Sequence, residues 1–409
     1  MSTKSNSLFR ALDHRDFRLL WGSQILSELG DWAGRLALGV LVLDRTGSKV
    51  LTAAVTGISL LPWVGLGQAL AAFGERFPRR TMMIVSDLIR AVAFFAMIAV
   101  EPAWALLLLA FIAASATPPF EAARAAFLPE VVSEERYGDA LALSNITYQV
   151  VLVLGYMAGG GLVVLAGAEG ALAINAATFG LSALLLAFLS GGRFGRAAQA
   201  VGASIRAAAR TIMGDPYLRR AAVLATIGAS SAIVAEALVV VYVRENLSGS
   251  DAEIGLMAAT VPLGTILASM LVRRHGKPDD LLRTSALVVL LGSAGGILWF
   301  LIEPPNYWAA AGFFSVGVVF AMVIPAYAVV GTRLPEDIRA TAFGLLQGML
   351  LGGQALASII GGGVAVLVGP GPASAFALFP ALGYAAFAFL VPPGGKLRIP
   401  WLAARDAGR

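Results

Sequence analysis

The hydrophobic and polar positions of this chain alternate on the scale of whole helices. Long apolar runs are separated by short polar segments rich in Gly, Pro, Lys and Arg. Because a bilayer core of about 30 Å needs roughly 20 apolar residues per helix, the pattern predicts membrane-spanning helices. We predict twelve spans, at 17–43, 50–73, 81–100, 103–123, 140–167, 171–190, 219–243, 253–272, 282–302, 307–330, 340–368 and 373–391.

The composition agrees with an all-α membrane protein. The chain is 58% hydrophobic and 13% charged, whereas a soluble domain carries about 25% charged residues. It has no Cys and two His, which lie in polar segments at His14 and His275. We therefore expect no disulfide, no metal site and no cofactor. No phosphate-binding loop or nucleophile motif is present, so we predict that the protein is not an enzyme.

The Lys and Arg residues indicate the orientation of the spans. If both termini are cytoplasmic, nearly all of the 30 basic residues fall in cytoplasmic segments, and the outer loops hold only Arg45, Lys49 and Arg244. Positive charge concentrates on the cytoplasmic side of membrane proteins. This bias predicts a multi-pass protein with both termini in the cytoplasm. It also accounts for the net charge of +5 without a nucleic-acid partner.

Four short segments recur about half a chain apart. GGGLVVLAG at 159–167 returns as GGGVAVLVG at 361–369, and FLPE at 127–130 returns as RLPE at 333–336. TGSKVLTAA at 46–54 and LLPWVGLG at 60–67 correspond to SGSDAEIGL at 248–256 and TVPLGTIL at 260–267. An even number of spans per repeat makes the halves parallel. We predict six-helix bundles at 1–190 and 219–409, joined by a cytoplasmic linker at 191–218 that contains an interfacial helix.

The first span carries three ionisable residues on one helical stripe. Glu28, Asp31 and Arg35 are spaced by three and four positions. Charged groups at membrane depth are costly and should face a cavity or each other. We expect Asp31 to pair with Arg35, which leaves Glu28 as a separate proton carrier. A purely structural ion-pair network is the alternative interpretation.

Three further sites follow from isolated charges inside spans. Asp87 and Arg90, at i and i+3, should pair, and Glu121 with Arg124 has the same spacing near the cytoplasmic end of the fourth span, where the two residues are candidates for a gate. Glu236 in the seventh span has no basic residue within one turn, so we predict a proton site or a contact to a cationic substrate. Polar and aromatic side chains that are candidates for a substrate cavity are Trp32, Asn145, Tyr148, Gln149, Gln347 and Gln354.

The segment GERFPRR at 74–80, with LDHRDFRLLWGSQILSELGDWAGRLAL at 12–38, SDLIRA at 86–91 and EAARAAFLPEVV at 121–132, resembles the major facilitator superfamily. The resemblance covers nearly the whole chain and extends to the branch that contains macrolide efflux proteins and the enterobactin exporter. It implies a twelve-helix fold of two parallel six-helix halves. It also implies a cytoplasmic latch made by Glu75, Arg76, Arg79, Arg80, Asp87 and Arg90.

The same resemblance suggests a comparison in the fifth span, GYMAGGG at 155–161. Drug–proton antiporters of the superfamily carry a Gly-Pro-x-x-Gly-Gly pattern there. Gly155, Gly159 and Gly160 match this pattern, but Tyr156 stands at the position of the proline. Close packing of helices through small residues explains the glycines equally well.

Together these features predict a monomeric secondary transporter in a bacterial cytoplasmic membrane. Its partners would be a small amphipathic substrate, protons and membrane lipid. The main hypothesis is proton-coupled, multidrug-type efflux by alternating access. The alternatives are a dedicated exporter or flippase of a siderophore or lysolipid, and a membrane receptor that transports nothing.

Overall fold

A computed structural model describes residues 8–64, 69–70, 74, 76–190, 201–275, 281–334 and 336–391. The described chain is helical. Apart from short 3-10 turns at Leu8–Asp13, Leu61–Trp63 and Asn306–Ala309, it folds into α1 Arg15–Thr46, α2 Lys49–Leu60, α3 Arg79–Ala99, α4 Ala103–Ser115, α5 Thr117–Val131, α6 Glu134–Ala187, α7 Val201–Gly214, α8 Pro216–Ala237, α9 Val239–Glu245, α10 Asp251–His275, α11 Leu281–Ile302, α12 Ala310–Phe320, α13 Val323–Arg333, α14 Glu336–Val368 and α15 Pro370–Leu390.

Among the described residues, nine helices or continuous helix pairs are long and apolar enough to cross a membrane. The twelve predicted spans do not correspond one to one to these nine segments. Helix α6 covers two predicted spans and is interrupted at Gly167. Helix α1, which is 32 residues long, carries the charged stripe of the first span, and α2 is a shorter apolar helix. The count of twelve remains a prediction.

Two glycines with positive φ explain how neighbouring spans separate. Gly167 has φ 70° and ψ 171°, and Gly369 has φ 89° and ψ 163°. Residues with a side chain rarely adopt this backbone conformation, whereas glycine adopts it at little cost. Both residues lie at the ends of the recurring GGG segments, so the two copies of the repeat share a backbone conformation as well as a sequence.

Polar caps define where other helices begin. The Ser48 side chain accepts a hydrogen bond from the Leu51 amide at the start of α2. The Asp215 side chain accepts from the Tyr217 and Leu218 amides at the start of α8, where Pro216 is the first residue. These contacts satisfy amides that have no partner within the helix.

Contacts divide the chain into two compact units. Unit 1 comprises Met1–Gln199 and Ser248–Ala259, and unit 2 comprises Ala200–Leu247 and Thr260–Arg409. In unit 1, α1 packs along α6, and α3 packs against α5 and α6. In unit 2, α8 packs against α14 and α15, and α11 packs against α12 and α15. The predicted boundaries at 190 and 219 stay predictions, and α7 is the helix found inside the predicted linker.

Large apolar side chains lie on the surface of both units. Trp104 is 70% exposed, and Leu165 and Leu367, which occupy matching positions in the two GGG segments, are 84% and 83% exposed. Such exposure would be unfavourable in water. In a membrane these side chains meet lipid, which agrees with a multi-pass protein.

Candidate functional site

Arg90 is the centre of a charge cluster inside unit 1. Its side chain is 2% exposed, and its two terminal nitrogens donate to carboxylates on different helices. Nη2 lies 2.5 Å from Asp87 Oδ1 on α3, and Nη1 lies 3.2 Å from Asp31 Oδ2 on α1. The predicted Asp87–Arg90 pair therefore forms, and it reaches α1 as well.

Asp87 also accepts hydrogen bonds from two serines. Its side chain is fully buried. Ser182 Oγ on α6 donates to Oδ2 at 2.6 Å, and Ser27 Oγ on α1 donates to Oδ1 at 3.4 Å. Burying a charge is tolerated when its hydrogen bonds are satisfied. These contacts link α1, α3 and α6 through a single carboxylate.

Two aromatic rings enclose the guanidinium of Arg90. Its central carbon lies 4.5 Å from the ring centre of Phe120 and 4.6 Å from that of Phe179. Such cation–π contacts stabilise a desolvated cation by up to about 2 kcal/mol each. Arg90 Nε has no hydrogen-bond partner, so the rings replace part of its hydration.

Asp31 has a different environment from Asp87. Its side chain is 24% exposed, and it lines a cavity of about 60 Å³ in unit 1. The cavity is bounded by Asp31, Arg35, Leu38, Ser59, Leu60, Trp63, Phe94, Ala110, Ala113, Ala114 and Thr117. This volume has room for a few water molecules, and the wall supplies polar partners for them.

Arg35 does not form the ion pair that the sequence predicts. The hydrogen-bonded partner of Asp31 is Arg90, while the guanidinium of Arg35 lies 4.6 Å from the ring centre of Trp32. Trp32 in turn packs on Tyr156, with ring centres 5.2 Å apart. The prediction of an Asp31–Arg35 pair is wrong because helix spacing shows residues on one helix only, and the nearer base belongs to α3.

A second polar group lies along the same face of α1. Gln24 Nε2 donates to Glu28 at 2.9 Å, while the other carboxylate oxygen of Glu28 is buried without a hydrogen-bond partner. Glu121 and Arg124 on α5 pair at 2.6 Å, as their spacing predicts. Arg124 also interacts electrostatically with Glu28 and with Tyr148. The predicted gate pair is thus part of the surroundings of Glu28.

The residues of the predicted latch occupy two separate places in unit 1. Arg79 donates to Glu130 and to the Ala126 carbonyl, and Arg80 donates to the Ala187 carbonyl, so both bind the ends of neighbouring helices. Arg76 is exposed in the turn before α3, and Glu75 lies outside the described residues. Asp87 and Arg90 are buried farther along α3. The role of these residues as a latch stays a prediction, and its described members lie at two places along α3 or just before it.

The predicted sites of the second half lie in unit 2. Glu236 is half-buried in α8. Gln347 accepts a hydrogen bond from the Tyr327 hydroxyl, and the Tyr327 ring stacks on Phe343 with centres 5.6 Å apart. Gln354 is 8% exposed, so it faces the interior of the unit. Tyr327, Phe343 and Gln347 thus bring aromatic and amide groups together.

The remaining candidates for a substrate cavity belong to unit 1. Trp32 and Gln149 are half-buried, whereas Asn145 and Tyr148 are exposed on α6. Their predicted contact with substrate stays a prediction. Within the described residues, no group of three or more His, Cys, Asp or Glu residues could hold a metal ion.

The glycines of the fifth span have a packing role. A Cβ on Gly155 would meet the Trp32 side chain, and one on Gly159 would lie 2.9 Å from the backbone of Ala33. Gly160 faces the backbone of Asp251 and Gly255 at the start of α10. The close-packing interpretation of this pattern is therefore confirmed.

Sequence reasoning missed four residues that hold the cluster: Ser27, Phe120, Phe179 and Ser182. Ser27 lies four positions before Asp31, so the helical spacing that groups Asp31 with Glu28 and Arg35 could also have identified Ser27. Phe179 and Ser182 lie on α6, and Phe120 lies on α5. No local pattern marks these three, since each contacts the cluster only through tertiary packing.

Residues 6–392 match the family model described as transmembrane secretion effector, a branch of the major facilitator superfamily. An uncharacterised transporter of this superfamily from Bacillus subtilis strain 168, YfiS, is 28% identical over 382 residues, which is 88% of this chain and 91% of the relative. Macrolide efflux protein A of Streptococcus pyogenes is 27% identical over 143 residues, which is 33% of this chain and 35% of the relative.

The fold is also similar to a solved structure. A bacterial homologue of the human lysosomal transporter Spinster, in an inward-facing and unoccupied conformation, superimposes with a TM-score of 0.71. The alignment covers 95% of this chain and 97% of the homologue at 16% sequence identity. At this identity the likeness concerns the fold.

Proposed function

Because the chain belongs to the transmembrane secretion effector family of major facilitator transporters, we propose that it exports amphipathic or lipophilic small molecules in exchange for protons. It is a multi-pass membrane transporter of a small molecule and not an enzyme. We further propose twelve spans in two parallel halves that alternate in access, in a monomer whose termini are cytoplasmic, in the inner membrane of a bacterium. The positive-inside bias supports this orientation.

The arrangement of Asp31 is the observation that carries the proposal. A proton-coupled transporter needs a carboxylate that water reaches and that is tied to a mobile helix contact. Asp31 lines the cavity of unit 1 and accepts a hydrogen bond from the buried Arg90. Its protonation would remove one charge from a pair that joins α1 to α3. Ionisable groups within a bilayer commonly mark such ion pathways.

The choice of an amphipathic substrate has weaker support than proton coupling. One relative with partial coverage is named a macrolide efflux protein. Within unit 2, Tyr327 and Phe343 supply aromatic surface beside the amide of Gln347, which suits substrates with both apolar and polar parts. A panel of substrates is therefore part of the test.

The test uses purified protein in liposomes with an imposed pH gradient and a panel of macrolides, cationic dyes, siderophores and lysolipids. We expect gradient-driven transport of an amphipathic compound by the wild type. We expect Asp31→Asn to reduce it by about 100-fold or more, since one positioned acid–base group typically contributes about 100- to 10,000-fold to a proton-transfer step. Asp44→Asn is the matched control, because Asp44 is exposed on the same helix.

Two further variants test the other predicted proton sites, Glu28 and Glu236. Glu28→Gln and Glu236→Gln each remove one carboxyl group without changing side-chain size. If Asp31→Asn, Glu28→Gln and Glu236→Gln all leave gradient-driven transport at the wild-type rate, proton coupling through these groups is wrong. Transport of only a siderophore or a lysolipid would instead support the dedicated exporter, and transport of nothing would support the receptor.

A further inference from the structure

The end of α15 lies between arginine side chains from two neighbouring helices of unit 2. The guanidinium carbon of Arg220, near the start of α8, lies 5.1 Å from the ring centre of Phe387. That of Arg283, near the start of α11, lies 4.8 Å from the ring centre of Phe389. Arg220 also donates to the carbonyl of Val391, which follows the last turn of α15. Positive charge is therefore concentrated at this end of unit 2.

Acidic residues do not neutralise this end of unit 2. Residues 206–220, 273–283 and 333–339 contain ten basic and five acidic residues. Among the described side chains of these segments, Asp215 is the one acid, and it caps α8 and lies 4.0 Å from Arg333. The excess of basic residues over acidic ones leaves positive charge for a ligand.

The matching corner of unit 1, where the start of α1 meets the end of α6, has a different chemistry. Asp16 accepts hydrogen bonds from the amide and the hydroxyl of Ser190, and it lies 3.8 Å from Arg15. Arg79, at the start of α3, pairs with Glu130. These arginines of unit 1 have carboxylate partners within the protein. In the corner of unit 2, a carbonyl and an aromatic ring take that place.

The exposed side of α15 has an apolar gap next to this charge. Phe376, Phe379 and Phe387 are exposed and lie on one side of the helix, since they are spaced by three and eight positions. Gly383 lies on the same side between Phe379 and Phe387, and an added Cβ there would meet no atom within 4 Å. The gap is therefore open, apolar and about as wide as one acyl chain.

Tyr384 connects the gap to the arginines of α8. It directly follows the glycine of the gap, and its ring centre lies 5.8 Å from that of Phe387. It also interacts electrostatically with Arg220 and Arg219. Arg219 is exposed, and its one hydrogen bond among the described residues goes to the Met213 carbonyl at 3.1 Å. The guanidinium of Arg219 can therefore donate to a further acceptor.

We propose that this corner of unit 2 binds an anionic phospholipid. Arg219 and Arg220 bind its phosphate, and one acyl chain lies over Gly383 between Phe379 and Phe387. The guanidinium fork matches the oxygens of a phosphate group, and basic pockets between membrane helices bind acidic headgroups on the cytoplasmic side. The proposed orientation assigns the lipid to the cytoplasmic leaflet. The site itself requires neither proton coupling nor a particular substrate.

Lipid binding is measured on the purified protein by native mass spectrometry, with phosphatidylglycerol, zwitterionic phosphatidylethanolamine and free glycerol phosphate as separate ligands. We expect phosphatidylglycerol to bind most tightly. Equal affinity for phosphatidylethanolamine would overturn recognition of the acidic headgroup. Equal affinity for glycerol phosphate would show a phosphate site without a role for the acyl chain, and would overturn the assignment to lipid.

Removing the charge tests the two arginines. We expect Arg219→Gln combined with Arg220→Gln to weaken phosphatidylglycerol binding by about 25-fold, since each basic residue near an acidic headgroup contributes about fivefold. Arg15→Gln combined with Arg18→Gln is the matched control, because it removes the same charge from the start of α1. We expect the control to bind as wild type does. Equal loss in both pairs would show that net charge alone attracts the lipid and would overturn the site.

Filling the gap tests the acyl chain without changing any charge. We expect Gly383→Leu to weaken phosphatidylglycerol binding by about tenfold, because part of the chain loses its apolar contact. Gly363→Leu on α14 is the matched control, since an added Cβ meets no atom within 4 Å there either. Both variants should fold for the same reason. Wild-type affinity in Gly383→Leu would overturn the proposed position of the chain.

Cross-linking locates the lipid directly. Phosphatidylglycerol with a photoreactive group in one acyl chain is bound to the protein, irradiated and traced by peptide mass spectrometry. We expect cross-links within 376–391, and a loss of about fivefold or more in Arg219→Gln combined with Arg220→Gln. Cross-links confined to other helices would overturn the inference. If these results hold while wild type shows no gradient-driven transport, the proposed function is wrong and the lipid site stands.

Discussion

Arg90 on α3 contacts residues of three other helices, α1, α5 and α6. Neither alanine nor lysine could make the same contacts. The planar fork of Arg90 donates to Asp31 and Asp87 at once, and its central carbon lies within 4.6 Å of two aromatic ring centres. A lysine ammonium is a point charge that lacks the fork and the stacking surface. The residue therefore serves as a hub for the interior of unit 1.

Replacing Arg90 tests this hub. We expect Arg90→Met to destabilise the protein by about 3–5 kcal/mol, because it leaves Asp87 as a buried carboxylate without its cation. The measurement is thermal unfolding of the detergent-purified protein followed by tryptophan fluorescence. Arg210→Met is the control, since Arg210 is exposed on α7.

A double variant shows whether charge is the cause. In Arg90→Met combined with Asp87→Asn the uncompensated charge is gone, so we expect part of the lost stability to return. If the double variant is less stable than Arg90→Met alone, the packing of the guanidinium rather than its pairing with Asp87 holds the cluster.

At the scale of the elements, small residues decide how closely helices approach. Gly159 in α6 lies against the backbone of Ala33 in α1, and Gly317 in α12 lies against the backbone of Val261 and Thr265 in α10. The Thr265 hydroxyl also donates to the Gly317 carbonyl at 2.9 Å. Backbone cannot rotate away as a side chain does, so these contacts require glycine. Small residues at helix crossings are common in membrane proteins for this reason.

Gly317→Ala should separate α10 from α12. We expect a loss of about 1–3 kcal/mol, as for other insertions into a well-packed interior. Gly383→Ala, on α15 with no atom within 4 Å of the added methyl group, should be neutral or slightly stabilising because alanine favours the helix. Equal thermal stability of Gly317→Ala and Gly383→Ala would show that α10 and α12 do not approach as closely as described.

At the scale of the whole molecule, the two copies of the repeat share features of the backbone but differ in their charged residues. Gly167 and Gly369 share a conformation, and Arg80 and Arg283 at the starts of α3 and α11 each contact the last residues of the final span of their unit, at Ala187 and Phe389. The acidic and basic pair of α3 has no counterpart, since Arg283 is the single charged residue in α11. The proposed proton site therefore belongs to one half.

The proposed orientation is tested with single cysteines. We expect an impermeant maleimide to label Met213→Cys in inside-out vesicles and Tyr307→Cys in right-side-out vesicles, because the positive-inside rule places them on opposite faces. Both side chains are well exposed, at 51% and 64%. Labelling of both residues from the same face would contradict the proposed topology.

Local signals explain which features could be predicted. The apolar runs of α3, α11 and α15 are long and bounded by Pro, Gly or Arg, so their limits follow from the sequence within a few residues. The Asp87–Arg90 and Glu121–Arg124 pairs also follow, because i,i+3 spacing brings side chains together on any helix. Gly167 was predicted only as the end of a span, while the structure adds its conformation.

The sequence by itself was enough to predict an all-helical membrane protein and the ion pairs within one helix, since both depend on spacing along the chain. Only the tertiary structure decided that Asp31 pairs with Arg90 rather than Arg35, that Phe120 and Phe179 enclose the guanidinium, and that a cavity reaches Asp31. The physical reason is that a buried charge takes the nearest favourable partner in space. That partner comes from another helix, whose rotation and depth depend on packing across the entire bundle.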